Sequence, residues 1–200
     1  MADDRRQRGY AKGRAKREQI LDEAIALFGE VGYRSASLRE IAQRCGITHA
    51  GLQHHFPTKE SLLLEVLKRR DEVDAARSGL GSVTGVELLR RLVELTLRNT
   101  EQPGIVELYC VLSSEATAPG HPAHGFFADR YTRTTSLIEE AFAETARSGA
   151  LRAGVDPRVA SQGVVALMDG LQVQWLLNRA SVDMAAVLRA HIGEHLTVDF

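Results

Sequence analysis

Residues 37–57 read Ser37-Leu38-Arg39-Glu40-Ile41-Ala42-Gln43-Arg44-Cys45-Gly46-Ile47-Thr48-His49-Ala50-Gly51-Leu52-Gln53-His54-His55-Phe56-Pro57, and this stretch decides the fold. Ser37 followed by Glu40 is an S-x-x-E capping box, in which the two side chains satisfy backbone N–H groups left open at a helix start. A short helix is therefore expected from about Leu38 to Arg44, with Leu38, Ile41 and Ala42 inward and Cys45 close behind. Gly46 permits a sharp turn and Thr48 can cap a second short helix. That helix should end near His55, because Phe56 precedes Pro57 and residues before proline avoid helical geometry. Two short helices around a glycine turn make a helix-turn-helix.

Working outward, Ile20, Leu21, Ala24, Ile25, Leu27, Phe28 and Val31 recur at spacings of three and four, the stripe of an amphipathic helix from about Lys16. Gly32 is its natural C-terminal cap. Ahead of it lies an arm, residues 1–17, with seven basic residues against Asp3 and Asp4. Thr58, with Glu60 and Ser61, opens a longer helix to about Ala76 that carries Leu62, Leu63, Val66 and Leu67 on one face. Ser78–Gly85, with three glycines, reads as a loop. Five further helices are expected: Val86–Asn99, Ile105–Ala116, Ala123–Ser148, Pro157–Asn178, started by Asp156 and a proline at the first helical position, and Met184–Leu196. No segment alternates at period two, so the class is all-α with about nine helices.

A chain of 200 residues, 44% hydrophobic and 26% charged, can bury a core without staples and is neither disordered nor fibrous. Cys45 and Cys110 form no C-x-x-C pair, which excludes zinc-finger and redox motifs and suits a reducing, cytoplasmic setting. No apolar run approaches the roughly 18 residues of a membrane helix. The net charge of -1 hides a split. Residues 1–57 hold ten Lys or Arg against seven Asp or Glu, a balance of +3, whereas residues 58–200 hold 15 against 19, a balance of -4. The basic end is the one that carries the helix-turn-helix.

The second short helix shows one large apolar residue, Leu52, among Thr48, His49, Gln53, His54 and His55, all able to donate or accept hydrogen bonds. The major groove admits such a helix. Gln can bond adenine there, hydroxyls bond several bases, and Ala50 and Gly51 permit close approach. Backbone phosphates would be met by Ser37 at a helix N-terminus, by Lys59 and by the basic arm, Arg14 included. The competing reading of the same pattern is a helical hairpin with a solvated polar face.

The run Gly32-Tyr33, Ser37-Leu38-Arg39-Glu40-Ile41-Ala42, Gly46-Ile47-Thr48 and Leu52-Gln53-His54-His55-Phe56-Pro57-Thr58-Lys59-Glu60-Ser61-Leu62 resembles the N-terminal domain of TetR-family transcriptional regulators, over about residues 14–65. The resemblance implies a helix-turn-helix DNA-binding domain over residues 1–57 and a helical ligand-binding and dimerisation domain over residues 58–200. It implies a homodimer, usually a repressor, that binds a palindromic operator in double-stranded DNA and is released by a small-molecule effector. Ser37 and Arg39 match positions that touch the operator, Thr48, His49, Ala50 and Gly51 the base-reading start of the recognition helix, and Gln53, His54, His55 and Lys59 positions that hold phosphates. The family usually has tyrosine where Gln53 stands, and often lysine or arginine near His49.

Beyond residue 65 the likeness lies in helix count and around Met168-Asp169-Gly170-Leu171 and Trp175. In the family the last two long helices pair with those of a partner, which makes Val164, Leu167, Leu171, Trp175, Val187, Leu188 and Ile192 interface candidates; filling the chain's own core is the alternative for each. Tyr109, Cys110, Phe126, Phe127, Met168 and Trp175 could line a ligand pocket or simply pack as core. Enzyme signals are poor. His191-Ile192-Gly193-Glu194-His195 fits H-x-x-E-H, yet five residues follow it, too few for a downstream metal ligand. His121 and His124 lie in an expected solvated loop. No G-x-S-x-G elbow or phosphate-binding glycine fingerprint is present, and no cofactor or metal is expected. The rival function is an all-α small-molecule-binding or enzymatic protein without a DNA role.

Overall fold

The computed structural model describes residues 2–200, with side chains from residue 11 onward, and divides the chain into two units, one ending at Arg70 and one spanning Asp71–Phe200. Among the described residues all regular structure is helical apart from one isolated bridge, Leu151 with Leu196.

In the first unit, α1 (Ala2–Ser35) precedes α2 (Leu38–Arg44), α3 (His49–His55) and the start of α4 (Lys59–Ser78). The helix α1 begins well before Lys16. Its opening stretch is rich in Ala, Arg, Lys and Gln, which form helix readily without an apolar stripe. The side chains of Arg5, Arg6 and Arg8 of the basic arm lie outside the described residues. Gly32, at φ 77° and ψ 160°, interrupts the helix where a glycine stop was expected. The Ser37 hydroxyl accepts the Glu40 N–H at 3.1 Å, while the Glu40 carboxylate turns to Arg44 at 3.5 Å, so the serine half of the capping box forms. Thr58 and Ser61 cap α4 reciprocally: the Ser61 N–H donates to the Thr58 hydroxyl at 3.1 Å and the Thr58 N–H to the Ser61 hydroxyl at 3.2 Å.

All four helices contribute to the buried interior of this unit: Ile20, Leu21, Ala24, Leu27 and Phe28 from α1, Ile41 and Ala42 from α2, Leu52 from α3, and Leu62, Leu63, Val66 and Leu67 from α4. Charged ties close the rim. Arg44 forks onto the Glu30 carboxylate at 2.9 and 2.6 Å, Arg17 pairs with Glu65, and Arg69 reaches Asp22 at 2.9 Å. The Arg44 fork holds the Glu30 carboxyl below its ordinary range.

In the second unit, α5 (Gly85–Asn99), α6 (Pro103–Glu115), α7 (His124–Arg147), α8 (Pro157–Leu177) and α9 (Met184–Gly193) follow the last turns of α4 and one short 3₁₀ turn, Leu80–Ser82. Asp156 and Asp183 cap α8 and α9 through their carboxylates. Helix α8 packs against α6, α7 and α9, and the core gathers Leu88, Leu92, Phe142, Val164, Leu171, Trp175, Leu188 and Ile192. Helix α9 stops at Gly193, three residues short of the expected end, because the chain turns to pair with the α7–α8 loop: Arg152 N–H donates to the His195 carbonyl at 2.8 Å and Thr197 N–H to that of Ala150 at 2.9 Å.

Candidate nucleic-acid interface and an internal cavity

Seven residues make α3, and its two ends are fixed locally. The Thr48 hydroxyl accepts the Gly51 N–H at 3.0 Å, and the Phe56 N–H donates to the Leu52 carbonyl. A Cβ on Gly51 would stand 3.2 Å from that hydroxyl, so glycine here keeps the cap uncrowded. Gly46 makes the preceding turn at φ 64°, a conformation that L side chains avoid. With Leu52 fully buried, the helix presents an outer face of His49, Ala50, Gln53 and His54. His49 and Gln53 stand one turn apart, as do Ala50 and His54. His49 is half-buried and its Nδ1 has no hydrogen-bond partner.

The remaining expected contacts surround this face. Thr48, Ser37, Arg39 and Arg14 are exposed, and among the described residues neither arginine forms an ion pair. His55 is half-buried, stacks edge-on against His54 at 5.8 Å, and burial together with His54, Arg17 and Lys16 pushes its pKa down. Lys59 donates from Nζ to the Arg34 carbonyl at 3.0 Å and lies 4.5 Å from the centre of the Tyr33 ring. Burial pushes its pKa down as well. Lys59 therefore staples the end of α1 to the start of α4 as well as standing beside the candidate interface.

A separate cavity of about 410 Å³ opens within the second unit, among α4, α6, α7 and α8. Of the six expected pocket residues, Tyr109, Cys110, Phe127 and Met168 line it, and Phe126 and Trp175 do not. Phe126 and Phe127 are neighbours on α7, about 100° apart around the helix, so only one can face inward. On α8 the lining positions are Val165, Met168, Asp169, Gln172 and Val173, a helical stripe, whereas Trp175 falls on the stripe of Val164 and Leu171 that faces the core. The polar wall was missed in the sequence: Asp74, Arg130, Tyr131 and Asp169. Asp169 is the one acid in Pro157–Leu177, and a lone carboxylate in a largely apolar helix was the signal that could have found it.

Two clusters order this wall. Asp71 of α4 pairs with Arg130, lies 3.5 Å from Arg133 and accepts the Tyr109 hydroxyl at 3.2 Å. The Arg130 guanidinium lies 4.9 Å from the centre of the Tyr109 ring. Further along, Asp169 accepts the Tyr131 hydroxyl at 2.7 Å. Burial pushes the Asp169 carboxyl up, the Tyr131 hydroxyl up to about 12 and the Cys110 thiol up to about 11.

Five of the seven interface candidates, Val164, Leu171, Trp175, Leu188 and Ile192, are buried in the core of the chain itself. Leu167 packs partly against that core, and Val187 is exposed. The apolar residues that α8 turns outward are Val159, Val173 and Leu177, the last 83% exposed. Helix α8 is apolar on more than one side, so periodicity does not say which side meets the core. The rings of His191 and His195 meet edge-on at 5.0 Å, and among the described residues no group of three or more His, Cys, Asp or Glu could hold a metal. His121 and His124, expected in a solvated loop, are half-buried, and a His124 ring nitrogen lies 2.7 Å from the Ala116 carbonyl.

A helix-turn-helix unit with an outward polar recognition helix, in one chain with a helical unit that has its own cavity, is the arrangement of a ligand-responsive DNA-binding protein. Comparison with known proteins agrees. A model of the tetR family of bacterial regulatory proteins matches residues 20–66, and a model of the C-terminal part of BetI-type transcriptional repressors matches residues 85–197. The chain is 25% identical over 186 residues to the HTH-type transcriptional regulator UidR of Escherichia coli strain K12, covering 90% of this chain and 93% of UidR. It is 43% identical to the HTH-type transcriptional repressor KstR2 of Rhodococcus jostii strain RHA1 over 53 residues, 26% of each protein. A transcriptional regulator from Saccharomonospora viridis, solved in complex with choline, superposes with a TM-score of 0.79 at 26% identity, covering 90% of this chain and 96% of that one. The chain belongs to the tetR family of bacterial regulatory proteins. It is a ligand-responsive, DNA-binding transcriptional repressor that acts as a dimer. Among the described residues no helix is long and apolar enough to cross a membrane.

Proposed function

We propose that residues 1–57 read a palindromic operator in the cytoplasm, and that residues 58–200 form the dimer and take a small molecule into the α4–α6–α7–α8 cavity, which releases the DNA. The observation that carries this reading is α3: capped at its start, anchored by Leu52 alone and presenting His49, Ala50, Gln53 and His54 outward. The phosphate-facing set is Arg14, Ser37, Arg39, His55 and Lys59. In a dimer the two α3 helices must lie about 34 Å apart to enter successive major grooves on one face of DNA. An effector that prefers a dimer of different spacing draws population away from the DNA-competent state, and DNA weakens effector binding by the same factor. Helix α4, which starts beside the recognition unit and ends in the cavity wall, is the natural transmitter. The largely apolar and aromatic lining of the cavity supports reading it as a binding site.

The reading is tested by titrating the protein onto the DNA upstream of its own gene. Binding below micromolar protein that weakens steeply with salt is expected. Salt-insensitive or absent binding at micromolar protein would favour a ligand-binding protein without a DNA role.

A further inference from the structure

Of the acids in the cavity wall, Asp169 carries no ion pair among the described residues. Arg130 is its one basic side chain, and that guanidinium is already committed, paired with Asp71 on one side and laid against the Tyr109 ring on the other. Two carboxylates, Asp74 and Asp169, also line the cavity. Asp169 is half-buried, its Oδ2 accepts only the Tyr131 hydroxyl, and among the described residues no Lys, Arg or His forms an ion pair with it. Around it stand the rings of Tyr109, Phe127 and Tyr131 and an apolar wall that includes Ile105 and Val165.

A carboxylate withdrawn from water is costly unless a cation meets it, and aromatic rings attract cations over their faces. Burial pushes the Asp169 carboxyl up, and the Tyr131 hydroxyl and the more distant Arg130 charge do not offset it. An anionic ligand would meet the Asp169 charge with Arg130 already neutralised by Asp71, and a neutral one would bring Asp169 no counter-charge. A ligand that captures the Cys110 thiol is disfavoured too, because burial and the Asp169 charge hold the sulfur protonated.

We propose that the effector is an organic cation with an apolar body, its positive nitrogen seated on the Asp169 carboxylate and its body against the aromatic and aliphatic wall. The proposal rests on reading this cavity as the effector site. At about 410 Å³ the space admits a ligand well beyond the smallest ammonium ions.

The test is calorimetric titration of the full-length protein with three probes of similar size: benzyltrimethylammonium, its neutral carbon isostere neopentylbenzene, and the anion 4-tert-butylbenzoate. The cation should bind at least about tenfold more tightly than the other two. Asp169→Asn should weaken the cation at least about tenfold and leave the neutral isostere within about threefold, while Asp169→Glu keeps the charge and retains cation preference. Equal binding of the three probes, preference for the anion, or undiminished cation binding to a folded Asp169→Asn protein overturns the proposal. If Asp169→Asn does not fold, as judged by circular dichroism, the selectivity of the wild-type protein decides alone. Operator binding by the same wild-type preparation without probe reads the repressor assignment separately. DNA bound with no cation selectivity sinks the cation site and leaves the repressor standing, whereas cation selectivity without DNA binding does the reverse.

Discussion

Two residues on neighbouring elements separate base reading from charge. Gln53 is exposed and on the outer face of α3, so Gln53→Ala should raise the dissociation constant on the operator by about tenfold, a loss of about 1–3 kcal/mol, and leave random-sequence DNA unaffected. Lys59→Ala should weaken both DNAs and reduce the salt slope by about 1. Because Lys59 also ties the Arg34 carbonyl and covers Tyr33, that variant should melt at lower temperature as well, which fluorescence anisotropy and a thermal melt report independently. At Asp169 the sign of a pH effect follows from its raised carboxyl. The group is neutral below its raised value and charged above it, so affinity for benzyltrimethylammonium, whose own charge does not titrate, should fall as pH is lowered, and at a higher pH than an ordinary carboxylate would impose. The other ionisable groups of the wall are Asp74, Tyr109, Cys110, Arg130 and Tyr131, and burial keeps the phenols and the thiol protonated throughout. Calorimetry over a pH series checks it. Part of the apolar lining of the cavity was legible in the sequence, as Tyr109, Phe127 and Met168 show, while Phe126 and Trp175 fall elsewhere. Asp169 was not, because a search for apolar lining passes over the single carboxylate in the middle of α8.

The sequence marks α2 and α3 to the residue, since their limits are set by Ser37, Gly46, Thr48 and Pro57, signals that act within one turn of chain. Longer elements depend on more distant partners. The end of α9 is decided by strand-like pairing of Leu196 with Leu151, 45 residues earlier, which no local pattern encodes. The end of helix α4 is tied beside the cavity through Asp71, which binds Arg130, Arg133 and the Tyr109 hydroxyl at once. Asp71→Ala should release the Arg130 guanidinium toward Asp169, which competes with a cationic ligand. The expected outcome is about tenfold weaker binding of benzyltrimethylammonium together with tighter binding of 4-tert-butylbenzoate. Unchanged selectivity in that variant would show that Arg130 stays clear of the ligand without its tie to α4.

For the whole molecule the sorting of α8 and α9 into core and contact faces separates two kinds of failure. Leu188 is fully buried, so Leu188→Ala should cost about 2–5 kcal/mol of folding stability in a denaturant melt. Leu177 of α8 and Val187 of α9 are exposed, and the double change Leu177→Asp, Val187→Asp should leave each protomer folded while sedimentation shows monomers and operator affinity collapses. A folded, still dimeric double variant would move the dimer contact elsewhere. That sorting lay beyond the sequence because both sides of α8 are apolar, and only the position of α6, α7 and α9 tells them apart. One further consequence belongs to the history of such a protein. Arg130 stands in the cavity wall and also holds α4 through Asp71, so a heritable change there alters which compound is sensed and how the signal leaves the cavity in a single step. Val165 and Ile105 carry no such double duty. Lineages adapting to new compounds should diversify first at those two positions, with Arg130 and Asp71 replaced only as a pair.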